Sequence, residues 1–340
     1  MISLIKKLSE INGVSGDETR VCDFIISQIK DSGAEYKIDN LGNLIVLKKG
    51  KFAPKNKVML ASHMDEVGFI INYIEDSGLL RFTAVGGVDP RVVLGRRVRI
   101  GDNSVLGVVG FTPIHLLKDD AKSKAVPIDE LYIDIGAKDK KQAEEYVSLG
   151  DMATFESEFV KFGDGFIKGK ALDDRAGCAI MIDMINSDLA YDAYFTFNVQ
   201  EEVGLRGATA SAYSVSPDYA IVIETTTACD ISGVAKDKEV CNLKAGPVIS
   251  FMDRSTIYDR GLYKLAFDVA KAENIKIQPK RMVAGGNEAG IIHKTAGGVK
   301  TLAVSMPCRY LHSASCVLNE QDIKETSKLI FKLAEKMAEL

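Results

Sequence analysis

The chain has no tryptophan, only four histidines and eight prolines in 340 residues, and no basic run or arginine-rich segment. Its formal charge is −4, so nothing in it forms the electrostatic footprint that nucleic acid or an anionic membrane would need. No apolar run approaches the length of a membrane span. Six cysteines (Cys22, Cys178, Cys229, Cys241, Cys308, Cys316) are scattered without a CxxC pair, and their even number carries little weight outside small secreted domains. No GxSxG elbow is present, which counts against a serine hydrolase. The opening "MISLIKKLSEI" puts Ile2, Ile5, Leu8 and Ile11 at helical spacing, with Lys6 and Lys7 interrupting. That pattern is an amphipathic helix and not a signal peptide. A soluble, reduced, cytoplasmic protein is expected.

What is there is an ordinary globular composition, 46% hydrophobic, and a length that suggests about two domains. "SGDETRVCDFIISQIKDSG" reads as a second helix ending at Gly33, and "KIDNLGNLIVLKKG" as a hairpin around Asn40, Leu41 and Gly42. "KVMLASH" is a short apolar strand. From 66 to 165 the texture changes to short strand-like runs punctuated by Gly and Asp, enough for a small β-barrel or sandwich. The stretch from 116 to 127, "LLKDDAKSKAVP", is its one clearly loop-like segment. Longer alternation then returns: a helix in "ALDDRAGCAIMIDMINS", strands in "AYFTFNVQ", "YAIVIE" and "TLAVSM", and a closing helix from about Glu320. Strands alternating with helices predict an α/β fold, a sheet with helices on both faces. Residues 1–65 and 166–340 would form it, interrupted by an inserted β domain at 66–165.

Polar residues gather where these strands end. His63 and Asp65 follow "VMLA", Asp173 and Asp174 lie in "ALDDR", and Glu201 and Glu202 follow "YFTFNV". Glu224 ends "IVIE", with Asp230 farther on, and His312 follows "TLAVSM". Taken alone, the adjacent glutamates could be a solvated junction. In open α/β sheets, however, clefts lie beyond the carboxyl ends of strands. Imidazole and carboxylate ligands suit zinc, cobalt or manganese better than magnesium. Two histidines and three carboxylates can hold two metals if one carboxylate bridges, while a further carboxylate stays free as general base. One of the paired glutamates would then bind metal and the other take the proton. The H-x-D spacing lets Asp65 receive the second ring N–H of His63.

"SHMDEVGFI", "GKALDDRAGC", "VQEEVGLRGA" and "RYLHS" resemble the signature segments of the tetrahedral aminopeptidases, co-catalytic metallopeptidases that include the glutamyl aminopeptidases. The likeness runs over nearly the whole chain, and "GGVDPRVVLGRRV" resembles the family's inserted, PDZ-like β domain. The resemblance implies two divalent metals, with Asp173 bridging, His63 on one metal and His312 with Glu202 on the other. It makes Glu201 the general base, Asp65 the residue orienting His63, and Glu224 the last ligand of the His63 metal. The usual residue at the last position is Asp; Glu224 adds a methylene. Glu288, in "AGGNEAG", stands where the family often carries Asp, and its role is unassigned. Also implied are short peptide substrates, a homododecamer built from dimers, and dimer contacts through the inserted domain.

Asp230 is a weaker alternative ligand, Asp174 a helix-capping acid and Arg175 a local ion-pair partner. Cys178 is expected in the core; His115 and His293 lie outside the set. Other readings stand beside the peptidase, among them another metal-dependent hydrolase. A glycanase-type hydrolase would use two carboxylates without metal, and a metal-binding scaffold would have no activity.

Overall fold

The computed structural model describes residues 1–113, 115 and 125–340. The polar stretch read as a loop lies outside them as far as residue 124. Helices α1 (Ile2–Glu10) and α2 (Thr19–Ile29) open the chain, followed by the hairpin of β1 (Glu35–Ile38) and β2 (Leu44–Lys48). The Asp39 carboxylate makes the turn by accepting the backbone N–H groups of Leu41, Gly42 and Asn43 at 2.9, 3.1 and 3.0 Å. Gly42 sits at φ +104°, where a side chain would be strained. Strand β3 (Val58–His63) is buried throughout.

Six strands follow: β4 (Gly68–Ile74), β5 (Leu80–Val85), β6 (Arg97–Ile100), β7 (Val105–Gly110), β8 (Tyr132–Asp134) and β9 (Met152–Phe155). With the one-turn helix α3 (Lys140–Ala143) before β9, they close into a barrel of order β4-β5-β8-β7-β6-β9. Its interior is a separate apolar cluster in which Phe69 meets Phe82 and Phe155 edge-on. Next come β10 (Val160–Phe162), β11 (Phe166–Gly169), α4 (Leu172–Ile185), β12 (Ala193–Asn198), α5 (Arg206–Val215) and β13 (Tyr219–Thr227). Last are β14 (Val248–Ile249), α6 (Arg260–Ala272), β15 (Gln278–Pro279), α7 (Ala289–Ile292), β16 (Lys300–Cys308), β17 (Cys316–Asn319) and α8 (Glu320–Glu339).

The main sheet is mixed, of order β1-β2-β12-β3-β13-β16-β14-β15. Strands β12, β3, β13 and β16 are parallel to one another. Successive strand residues feed opposite faces. Leu60, Ile221, Ile223, Leu302 and Val304 pack under α1, α2, α4, α6 and α8, whereas Met59, Ala61, Ala220, Val222 and Ala303 meet α5 and α7. The small residues on the second face match its shorter helices. Strands β10, β11 and β17 form a third, small sheet.

Candidate metal centre

Because β12, β3, β13 and β16 run in one direction, their carboxyl ends open on one edge of the sheet. There His63 ends β3, Glu224 lies on β13, Glu201 and Glu202 follow β12, and His312 follows β16. Asp173 comes from the entry to α4, where its backbone is not yet helical (φ −83°, ψ 107°). These six side chains line one cavity of about 360 Å³.

Asp173 is central. Its Oδ1 lies 3.7 Å from His63 Nε2 and its Oδ2 3.5 Å from His312 Nε2. Glu224 Oε2 is 4.0 Å from His63 Nε2, and Glu202 Oε2 is 3.3 Å from His312 Nε2. Each histidine thus faces one oxygen of the shared aspartate and one glutamate of its own. The far ring nitrogens are held as well: His63 Nδ1 contacts the Asp65 carbonyl at 3.1 Å and its Oδ1 at 3.4 Å, and His312 Nδ1 contacts the Gly87 carbonyl at 2.9 Å.

Adjacent glutamates reach one cavity because the chain leaves the sheet before them. Gln200 takes φ +55°, and a turn closes as Gly204 N–H and Leu205 N–H donate to the Glu201 carbonyl at 3.0 and 2.8 Å. The buried Asp65 carboxylate fixes this turn. Its Oδ1 accepts Glu201 N–H at 3.0 Å, and its Oδ2 accepts Glu202 N–H at 3.1 Å and the Ser15 hydroxyl at 2.6 Å. Glu18 Oε1 adds an acceptor for Gln200 N–H at 3.0 Å. The H-x-D spacing foreshadows the contact to His63, but Ser15 and Glu18 are far away in sequence and carried no signal.

So many carboxylates in one buried place disturb their own ionisation. Burial pushes Glu201 up to about 8 and Glu202 to about 7, with neighbouring carboxylates adding to the shift and the histidines opposing it. Burial likewise raises Glu224 well above its ordinary value. Burial by itself would lower both imidazoles. The Asp173 carboxylate outweighs it, holding His312 near 10 and, with Asp65, His63 well above the usual range. Cations placed among such crowded acids would favour their ionised forms.

Two further observations fit divalent metal. Asp173 Oδ1 and Glu224 Oε1 are buried without any hydrogen-bond partner, although buried polar atoms are nearly always satisfied. Ligand atoms of His63, Asp173 and Glu202 lie within 4.8 Å of one another, as do those of Asp173, Asp174 and Glu224. Asp174 is otherwise engaged: it accepts from Gly177 N–H at 3.2 Å and from the Ser62 hydroxyl. Its position is that of a capping acid.

The other candidates fall outside the cluster. Asp230 is bound by Arg309 at 2.6 and 2.9 Å. His115 is exposed, and His293 turns its Nδ1 to the Ala289 carbonyl at 2.6 Å. Glu288 is buried, held by the Asn198 amide at 2.8 Å, with its Oε1 unpartnered. Cys178 is fully buried in α4. Arg175 forms an ion pair with the buried Glu66, at 3.7 Å, but does more than pair. It is fully buried and donates to the carbonyls of Met64, Leu8 and Ile11 at 2.6, 2.7 and 3.1 Å. A buried guanidinium needs many acceptors, and unpaired carbonyls around the end of α1 supply them.

The profile of the M42 glutamyl aminopeptidases matches residues 42–329. The chain belongs to the M42 glutamyl aminopeptidase family. It is 34% identical to a lysyl aminopeptidase of Pyrococcus furiosus, across 98% of this chain and 96% of that one. It is 30% identical to a glutamyl aminopeptidase of Lactococcus lactis, across 99% and 98%. Among solved structures, a TET aminopeptidase from a marine-sediment Thaumarchaeota archaeon superposes with a TM-score of 0.94 at 33% identity, covering 99% of this chain and 96% of that one. The TET1 peptidase of Pyrococcus horikoshii, described as assembling into a tetrahedron or a large octahedral shell, gives 0.86 at 37% identity, with 98% of each chain covered. This M42 protein is therefore a metal-dependent aminopeptidase, as the sequence resemblance implies.

Proposed function

We propose that this M42 aminopeptidase carries two divalent metals, zinc, cobalt or manganese, in the cavity. Asp173 would bridge them, with His63 and Glu224 completing one site and His312 and Glu202 the other. The observation behind this reading is that the two oxygens of Asp173 face different histidines, each with its own glutamate beside it. Metals held by these residues would supply Lewis acidity toward a water and the scissile carbonyl.

Glu201 is the carboxylate left over. It takes the proton of the attacking water and returns it to the departing amine, so it ends each turnover as it began. Asp65 holds the Glu201 and Glu202 peptide groups and the His63 ring, which sets base and ligands in register. The carboxylates around the cavity attract the free α-amine of a peptide. A glycosidase working through two carboxylates would leave both histidines and Asp173 idle.

Short peptides are the proposed substrates and the cytoplasm the proposed location. By likeness to the TET peptidases, the chain would assemble from dimers into a dodecamer, with the barrel at the dimer contact. Light scattering should then give twelve times the mass of the chain, and a monomer would overturn the assembly.

The function is tested with metal-stripped protein and aminoacyl p-nitroanilides, each assayed with Zn²⁺, Co²⁺ or Mn²⁺. Metal should restore release of p-nitroaniline. Glu201→Gln should cut kcat by about 10²- to 10⁴-fold while bound metal stays near two per chain. Near-normal turnover in that variant would remove Glu201 from the role of base.

A further inference from the structure

The two histidines of the cluster are supported from different parts of the fold. His63 ends β3, its side chain is 1% exposed, and its far nitrogen is held by Asp65 two residues on. His312 is 34% exposed and stands on the loop after β16. Among the described residues, the Gly87 carbonyl at 2.9 Å is the one hydrogen-bond partner of its Nδ1. Gly87 belongs to the barrel, two residues beyond the end of β5. A carbonyl oxygen can only accept. In a neutral imidazole, the form that binds metal, it therefore fixes Nδ1 as the N–H donor and leaves the Nε2 lone pair facing Asp173 and Glu202.

The turn that carries this carbonyl is built tightly against the site. Gly86 takes φ +85°, and a Cβ there would come within 2.9 Å of Val67 Cγ1 and 3.2 Å of Glu202 Cβ. The same turn thus lies against Glu202 with Gly86 and holds His312 with Gly87. A second grip comes from the barrel on the His312 loop. Ala314 is buried in the barrel's own apolar cluster, against which Val88 also packs. The hydroxyl of Ser157, just after β9, donates to the Ala314 carbonyl. His63 and Glu224, by contrast, stand on β3 and β13 of the main sheet.

Resting on the two-metal reading above, the geometry points to Gly86 and Gly87 as positioning residues through which the inserted barrel completes the His312–Glu202 side of the metal centre. The His63–Glu224 side is set by the α/β part alone.

The test titrates the metal-stripped full chain with Zn²⁺ against a chelator, comparing wild type, Gly86→Ala and Gly95→Ala. Gly95 is the control: it lies in the barrel at φ +74° with nothing within 4 Å of a Cβ, so alanine there brings similar backbone strain without touching the site. Gly86→Ala should hold one of the two metals about 10- to 100-fold more weakly and leave the other unchanged. Gly95→Ala should hold both as the wild type does. Added to His312→Ala, Gly86→Ala should cause no further loss, whereas added to His63→Ala it should weaken the metal that remains. With Co²⁺, whose visible absorption reports its ligands, Gly86→Ala should alter the part of the spectrum that His312→Ala removes. Equal weakening of both metals, or the same loss in Gly95→Ala, makes the turn a general support of the fold and overturns the inference. Wild-type affinities in Gly86→Ala overturn it too. If Gly86→Ala does not fold, Ser157→Ala should weaken the same metal to a smaller degree, and unchanged affinity there overturns the inference. A wild type that binds fewer than two metals overturns the two-metal reading itself, and the inference falls with it.

Discussion

One carboxylate, Asp65, accepts the peptide N–H groups of both Glu201 and Glu202 as well as the Ser15 hydroxyl, and it also touches His63. In Asp65→Asn one of those acceptors becomes an amide N–H pointing at another donor. That should lower kcat/KM and metal affinity by about 10- to 100-fold, the usual effect of losing a residue behind the ligands; steady-state kinetics and a chelator-competition titration measure the two, and wild-type values in both would show that Asp65 does not support the ligands. Glu224 invites the opposite kind of change. Its Oε2 only just comes within 4.0 Å of His63 Nε2, so Glu224→Asp, although it restores the residue the resemblance leads one to expect, withdraws the carboxylate by about 1.5 Å. If Glu224 is a ligand as proposed, the variant should hold its metal on the order of tenfold more weakly, and equal or tighter binding would show that this backbone suits the shorter acid. That His63, Asp173, Glu201, Glu202, Glu224 and His312 gather at one cavity was legible because most of these imidazoles and carboxylates stand just at or after the ends of apolar strands. Glu18 was not legible: a glutamate just before α2 gives no sign in sequence that its carboxylate accepts the Gln200 N–H across the fold.

Elements of the sheet interior were the readable ones, because alternate residues of β3, β13 and β16 feed two different apolar clusters and stand in unbroken apolar runs at 58–61, 220–223 and 302–304. The two-residue strands β14 and β15 and the four-residue α7 are too short to show any period. Helix α6 carries a readable signal that the strand-led reading passed over: Asp259 caps it by accepting Leu262 N–H at 2.9 Å, and Leu262, Ala266, Val269 and Ala270 face inward. The entry to α4 could not be read, since a sequence of helix type there contains the non-helical Asp173 and Asp174. That entry is pressed against β3 at Gly177, where a Cβ would come within 2.6 Å of both Asp174 carboxylate oxygens and 2.7 Å of Ser62 Oγ. Gly177→Ala must push helix and strand apart, so it should destabilise the fold by about 1–3 kcal/mol and disturb the adjacent Asp173. Urea unfolding and metal stoichiometry test the two consequences, and a variant as stable and as metal-loaded as the wild type would mean that the contact relaxes freely.

At the scale of the whole molecule, the barrel is inserted where the chain crosses out of and back into the α/β part, and a buried ion pair ties the two crossings together. Glu66 stands just before the first barrel strand and Lys170 just before α4, and their charged atoms meet at 2.6 Å with both side chains almost fully buried. Burial draws the Lys170 ammonium down, and the Glu66 charge is what opposes this. Glu66 Oε1 also accepts Gly13 N–H at 3.1 Å and lies 3.7 Å from Arg175, so the pair anchors the turn after α1 as well. Removing one partner of a buried pair leaves the other charge stranded, at a cost of about 3–5 kcal/mol. Since Gly13 and Arg175 would still serve Glu66, Lys170→Met should fall at the lower end, about 3 kcal/mol. Adding Glu66→Gln removes the stranded charge while keeping an acceptor for Gly13, so the double variant should regain at least half of the lost stability. Urea midpoints of the wild type, both single variants and the double variant close the cycle. Additive losses would mean that the two crossings are held by their separate surroundings; recovery in the double variant would mean that the pair itself joins the barrel to the floor of the site, where Glu66 and Lys170 line a small cavity with Asp173, Glu202 and His312.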